Sequence, residues 1–232
     1  MRLIIARPQI DAVPLAKTLE AMGHSAIIAP LLDIVARAGV LIPALPFQAI
    51  CATSANGVRC LNAPINYQIP VFAVGEQSAA AASEKGFQKV EAEGGDVEGL
   101  VQHVCAKLKV EDGPLLYLSG AETSGNLEVR LAERGFEVRR VITYDAIPCA
   151  LDKAVLYIKL AEGVLLYSPR TAKLWRHEIE RLDLGNVADQ LVYYCLSTAV
   201  AQTLPHNWHK FVASKPSENS LLALLDLASE AE

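Results

Sequence analysis

The sequence predicts an α/β protein of two lobes, each a parallel β-sheet with helices on both faces. Three observations carry that expectation. Apolar runs of strand length alternate with stretches of helical period along the 232 residues, as βαβ units require. Strand after strand ends in a small hydroxyl residue or a glycine. Two blocks also recur. Residues 1–36 and 113–148 each read strand, Gly-terminated helix, strand, with Leu19-Glu20-Ala21-Met22-Gly23 answering Leu131-Ala132-Glu133-Arg134-Gly135. Residues 49–104 likewise answer residues 163–228, Thr53-Ser54 matching Tyr167-Ser168 and Ser78-Ala79 matching Thr198-Ala199.

Residues 2–6 form an apolar strand, broken by Arg7-Pro8. The helix that follows keeps Val13, Ala16, Leu19 and Met22 on one side and stops at Gly23. Pro14 fits only a first turn, which sets the start near Asp11. A strand over residues 25–29 meets Pro30, and residues 31–36 continue as another. Residues 39–46 hold two prolines and no helical period, so they connect. Residues 49–52 are a strand ending in Thr53-Ser54, before a turn or helix start at Ala55-Asn56-Gly57-Val58. Residues 70–74 lead into Gly75 and a helix through Ser78 and Lys85, closed by Gly86. A short strand over 88–92, a turn at Gly94-Gly95-Asp96 and a helix over 97–108 come next. Residues 114–118 are a strand ending in Ser119-Gly120, then a helix with Leu127 and Leu131 stops at Gly135.

The stretch 138–148 is strand-like, apolar at Val141, Ile142, Ala146 and Ile147, with Tyr144 in its middle and Pro148 at its end. Beyond Asp152 the alternation resumes. Residues 164–167 are a strand, and Ser168-Pro169 supply an N-cap and a first helical residue. Residues 191–194 are a strand before Ser197-Thr198, residues 211–213 another, and residues 217–227 the last helix, apolar at Leu221, Leu224, Leu225 and Ala228.

The blocks run short, long, short, long. Equal lobes arise if residues 1–35 pack with residues 152–232 while residues 40–144 form the other lobe. Residues 36–39 and 145–151 then cross between them, and Tyr144 stands on a bridge facing the gap. The alternative is one large sheet holding every strand.

A net charge of −5, with charges of both signs intermixed, leaves no basic face for nucleic acid. Five cysteines without a CxxC pair do not form a disulfide framework or a zinc site. Three of them sit inside apolar runs and read as small core residues. The first residues enter a strand directly, and the apolar region 31–52 is broken by Asp33, Arg37, Pro43 and Pro46, so no leader or membrane span is expected. The chain is read as a cytoplasmic monomer without a nucleic-acid or membrane partner.

Ligands of parallel sheets bind beyond the carboxyl ends of the strands. Thr53, Ser54, Gly75, Ser78, Ser119, Gly120, Ser168, Ser197 and Thr198 occupy such places. Near helix N-termini, free N–H groups and the positive dipole end attract anions. Capping alone explains any single one of them. Their recurrence at strand ends in both lobes favours a cleft that offers neutral donors to several carboxylates. An acidic protein can hold an acidic ligand that way. Other motifs are missing. Gly94-Gly95-Asp96-Val97-Glu98-Gly99 lacks the phosphate-cradle spacing, His177-Glu178 lacks the second histidine of HExxH, and no serine sits in GxSxG. Tyr144, next to Asp145, differs from the other tyrosines by its place on the bridge. A phenol of ordinary pKa about 10 stays protonated and can give its proton to a leaving oxygen. The alternative is a packing aromatic.

Together these residues resemble the uroporphyrinogen-III synthase family. The likeness runs over essentially the whole chain: Arg7-Pro8, Thr53-Ser54-Ala55-Asn56-Gly57-Val58, Val74-Gly75 before Ser78-Ala79, Leu118-Ser119-Gly120, Tyr144 to Pro148, Tyr167-Ser168-Pro169 and Ser197-Thr198-Ala199. The resemblance implies two flavodoxin-like parallel-sheet lobes joined by a two-stranded linker. It implies a cofactor-free enzyme that closes linear hydroxymethylbilane into uroporphyrinogen III with inversion of ring D. The family route loses the substrate hydroxyl to give an azafulvene, then passes through a spiro-pyrrolenine. Tyr144 matches the tyrosine that assists hydroxyl departure. Thr53, Ser54, Ser78, Ser168, Ser197 and Thr198 match residues that hold acetate and propionate arms, and Ser119, Gly120 and Arg7 complete the expected contacts. Three positions depart from the pattern. Ser78 stands where threonine is frequent and Ser119 where arginine is common. Cys195-Leu196 replaces a glycine-containing turn, and the larger thiol side chain is expected to narrow the cleft. The rival expectation is a two-lobed small-anion binding or sensor module without turnover, which would carry a signal peptide or a fused DNA-binding segment.

Overall fold

The computed structural model describes residues 1–93, 96–123 and 125–229, without the side chains of residues 227–229. The turn expected at Gly94-Gly95 and the side chain of Ala228 lie outside these residues. The chain divides into two compact units, Met1–Asp33 with Ile147–Glu232, and Ile34–Ala146.

In chain order the first unit opens with β1 (Arg2–Ile5), α1 (Gln9–Ala21) and β2 (Ser25–Ile28). Strand β3 (Leu32–Ala36) leads into the second unit. There follow β4 (Ala49–Ala52), α2 (Ala55–Arg59), β5 (Val71–Val74), α3 (Gly75–Lys85), β6 (Val90–Glu93), α4 (Val97–Lys107), β7 (Leu115–Gly120), α5 (Leu127–Glu133) and β8 (Val138–Pro148). The first unit resumes with α6 (Val155–Ile158), β9 (Gly163–Leu166), α7 (Pro169–Arg181), α8 (Gly185–Ala188), β10 (Val192–Cys195), α9 (Thr198–Ala201), β11 (His209–Val212) and α10 (Glu218–Ser229).

The described residues form two sheets. The first orders its strands β11-β10-β9-β1-β2 and the second β3-β8-β7-β4-β5-β6. Every pairing from β11 to β2, and from β8 to β6, is parallel. If β7 and β8 are matched to β1 and β2, and β4, β5, β6 to β9, β10, β11, the two orders are the same. Each is the flavodoxin-like order. The repeated blocks of the sequence are therefore the same sheet built twice, with the short block before the long one in one unit and after it in the other.

Alternation along the strands splits each core into two faces. In the first unit Ile4, Val164, Leu166 and Tyr193 pack with Trp175 and Ile179. Leu3, Ile5, Leu165 and Tyr194 face the other way, toward Leu15, Leu19, Leu221 and Leu225. In the second, Ile50, Ala52, Leu116 and Leu118 pack with Val58 and Ala82, and Cys51, Leu115 and Tyr117 with Leu100, Val104 and Leu131. Side chains of this size are worth about 1.5–3 kcal/mol each when fully buried, so each unit carries its own core.

Some boundaries depart from expectation. Helix α1 starts at Gln9, because the Pro8 carbonyl already accepts from the N–H groups of Asp11 and Ala12. Pro14 thus lies beyond the first turn, on an exposed side, where water can satisfy the carbonyl left without a donor. Strand β7 runs through Ser119 and Gly120, both paired with β8, so those residues lie in a strand and not at a helix start. The chain passes between units along β3 and β8, which are hydrogen-bonded neighbours. Arg37 N–H donates to the Thr143 carbonyl at 2.9 Å, and the Arg37 guanidinium grips both Asp145 oxygens at 2.7 and 2.8 Å.

Candidate active site

Strand order in the second unit reverses between β7 and β4, and such a switch point is where open α/β sheets bind ligands. Thr53 and Ser54 follow β4, Ser119 and Gly120 end β7, and Tyr144 stands on β8 opposite Gly120. The structure brings these five together.

An irregular register aims the phenol. Ser119 opposes Ile142, but Gly120 opposes Tyr144, so Thr143 is an extra residue in β8. Regular alternation would put Tyr144 on the face of Arg140 and Ile142. The bulge turns it onto the face of α2. There its hydroxyl donates to Ser54 Oγ at 3.3 Å, and only 9% of the residue is exposed. Thr143, fully buried, donates its hydroxyl to the Gly57 carbonyl at 2.8 Å. Two glycines make room. A Cβ at Gly120 would lie 2.6 Å from Tyr144 Cζ, and one at Gly57 would lie 2.7 Å from the Leu118 carbonyl oxygen. The first lets the phenol ring rest on the backbone of β7; the second lets α2 pack against that strand.

The surrounding polar groups are tied down. Ser54 is the N-cap of α2 and accepts from Asn56 N–H at 3.2 Å. Thr53 and Tyr117 share a hydroxyl hydrogen bond of 2.9 Å. Burial pushes the Tyr117 phenol above its ordinary pKa, against the opposing effects of that bond and of Arg140. Ser119 is buried; its Oγ donates to the Gly120 carbonyl and accepts from Arg140 Nε at 2.8 Å. Arg140 Nη2 also donates to the Gly120 and Ala121 carbonyls, each at 2.8 Å. Sequence reasoning missed Arg140 and Tyr117. Their register position, Tyr117 opposite Arg140, is the signal, and it needs the strand order to be seen. Ser78 is buried in the first turn of α3 but is not its N-cap, which is Val74.

In the first unit the switch lies between β1 and β9. Arg7 follows β1, and Ser168 after β9 caps α7, accepting from Thr171 N–H at 3.1 Å. The Arg7 side chain is 12% exposed. Its Nη1 meets Glu218 Oε2 at 2.7 Å, its Nη2 lies 3.9 Å from Asp11, and its Cζ sits 4.2 Å over the Tyr167 ring. Two carboxylates thus share that charge. Ser197 caps α9, accepting from Val200 N–H at 3.4 Å, and Thr198 is the first residue of that helix. Cys195, expected to narrow the cleft, is instead a core residue at the end of β10: it is 0% exposed, and burial pushes its thiol up to about 12.

Among the described residues, no helix is long and apolar enough to cross a membrane. A model of the family described as Uroporphyrinogen-III synthase HemD matches residues 13–223. No curated protein matches by sequence. Among solved structures, the chain is similar to uroporphyrinogen-III synthetase from Helicobacter pylori, at 19% identity and a TM-score of 0.66, covering 98% of this chain and 100% of that one. It is also similar to a mutant uroporphyrinogen III synthase from the extremely thermophilic bacterium Thermus thermophilus, at 17% identity and a TM-score of 0.56, covering 100% of both. At such identities the structural likeness speaks for the fold; the family match speaks for the chain.

Proposed function

The chain belongs to the uroporphyrinogen-III synthase family, and from that footing we propose that Tyr144 is the acid of its ring closure. The reaction is a cyclising dehydration in heme biosynthesis. Hydroxymethylbilane loses water and closes to uroporphyrinogen III with ring D inverted. The observation that carries the assignment of Tyr144 is the β8 bulge, which sets the phenol on Gly120 beside Ser54.

In the proposed route the substrate's C–O bond breaks as the phenol gives its proton to the departing hydroxyl, which leaves as water. An azafulvene remains. Ser54, whose hydroxyl accepts from the resting phenol, rotates its own O–H toward the phenolate. The azafulvene is attacked to give the spiro-pyrrolenine, which fragments and recloses. The proton lost when the pyrrole regains aromaticity restores the phenol. Because the substrate is intrinsically reactive, holding it in one folded geometry is the larger contribution. Thr53, Ser54, Ser78, Ser119, Gly120, Ser168, Ser197 and Thr198 are proposed as contacts to its carboxylate arms. Arg7 joins them by exchanging Glu218 for a substrate carboxylate. We propose further that the enzyme works as a cytoplasmic monomer without a cofactor.

Tyr144→Phe tests the role. Turnover is expected to fall about tenfold or more, while the lost bond to Ser54 costs only about 1 kcal/mol of stability. Unchanged turnover would leave Tyr144 a packing residue.

A further inference from the structure

We propose that Arg140 is a carboxylate anchor for the substrate, a role that rests on the reading just given. Arg140 is a half-buried residue of β8, and its guanidinium is held in place by three bonds. Nε donates to Ser119 Oγ, and Nη2 donates to the carbonyls of Gly120 and Ala121. All three acceptors are neutral and belong to one short segment at the carboxyl end of β7.

No carboxylate approaches Arg140 among the described residues. Its neighbour Arg139 pairs with Glu137, and Arg7, Arg37 and Arg181 each hold an acidic partner. Nor do the two N–H groups of Nη1 make a hydrogen bond among the described residues. A cation drawn partly out of water and given only neutral acceptors still lacks a counter-charge. Its planar fork is already oriented, so little side-chain freedom is left to lose when an anion binds. The N–H groups of Nη1 are left to meet a carboxylate oxygen, and such a charge-assisted bond is the stronger kind.

The place of this cation relates it to the chemistry. Gly120 carries the Tyr144 ring against its Cα while its carbonyl accepts from Arg140. Ala121 N–H donates to the Tyr144 carbonyl at 3.0 Å while its own carbonyl accepts from Arg140. Anchor and acid are therefore fixed to the same two residues. A propionate or acetate arm seated on Nη1 brings its pyrrole to the strand end where the phenol is held.

Kinetics with freshly prepared hydroxymethylbilane, alongside fluorescence titration with uroporphyrin as an octacarboxylate probe, test this. For Arg140→Met, KM and the uroporphyrin Kd are expected to rise about tenfold at low salt. Arg140→Lys, which keeps the charge but cannot span the three acceptors, should stay within about threefold of wild type. The gap between wild type and Arg140→Met should close as ionic strength rises, because screening weakens only the charged contact. Equal KM and Kd in wild type and Arg140→Met would overturn the anchor. So would equal losses in the Lys and Met variants, independent of salt and accompanied by a lower Tm, since that marks a brace for the β7 end. If Arg140→Met does not fold, Arg140→Gln replaces it with the same expectations. Wild-type enzyme that forms type III product while failing these comparisons sinks the anchor alone; wild-type enzyme that forms none sinks the reading beneath it.

Discussion

Thr143 shows how one residue decides the direction of another. Placed out of step with β7, it turns the Tyr144 phenol toward Ser54, and Gly120 leaves the ring space to lie there. Gly120→Ala is expected to destabilise the fold by about 1–3 kcal/mol and to lower turnover by displacing the phenol. Added to Tyr144→Phe, it should lower turnover little further, because the group it displaces is already disabled; kinetics of the single and double variants check this. The hydroxyl candidates could be picked from the sequence because strand ends mark themselves by composition, and Tyr144 by its place in the middle of the stretch that becomes β8. Arg140 was not. Its relevance comes from lying opposite Tyr117 across a strand pairing between segments distant in the chain, which local pattern does not encode.

A buried carboxylate offers a second test at this scale. Glu178 accepts from Leu151 N–H at 2.8 Å and from Arg181, mooring the segment that re-enters the first unit. Those Arg181 bonds, opposed by burial, hold its pKa below the ordinary 4.5. A depressed carboxylate stabilises fully above its unfolded value and loses that contribution as pH falls through the folded one. Wild type should therefore lose Tm as pH drops below about 4.5, whereas Glu178→Gln should start lower at neutral pH and fall less. Parallel Tm curves would show that Glu178 contributes nothing pH-dependent.

At the scale of elements, caps and ligand contacts must be separated. Ser168 binds Thr171 N–H and lies 2.8 Å from Thr171 Oγ1, so Ser168→Ala should cost α7 about 1 kcal/mol. A KM that rises along with that loss supports a substrate contact, and an unchanged KM leaves capping alone. Most elements could be read from periodicity, β8 with the same bounds as expected. The misreadings have local causes. Helix α1 starts early because Pro8 can accept its first bonds. Strand β7 runs long because Ser119 and Gly120 find partners on β8, a pairing invisible to single-segment propensity.

For the whole molecule, the duplicated strand order explains why a repeat was visible at all. Each copy must bury the same two faces, so the same apolar spacing recurs. The second unit is a continuous stretch, Ile34–Ala146, whose two ends lie on neighbouring strands β3 and β8, and it has a core of its own. Residues 34–146 expressed alone are expected to show native-like circular dichroism and one cooperative thermal transition; a broad, non-cooperative melt would contradict this. The proposed function asks the protein to impose one geometry on a substrate that can also close without inversion. The most direct measurement is the isomer ratio formed when the purified chain meets fresh hydroxymethylbilane. Type III product well above the uncatalysed background is the expected result, and type I product alone would contradict it.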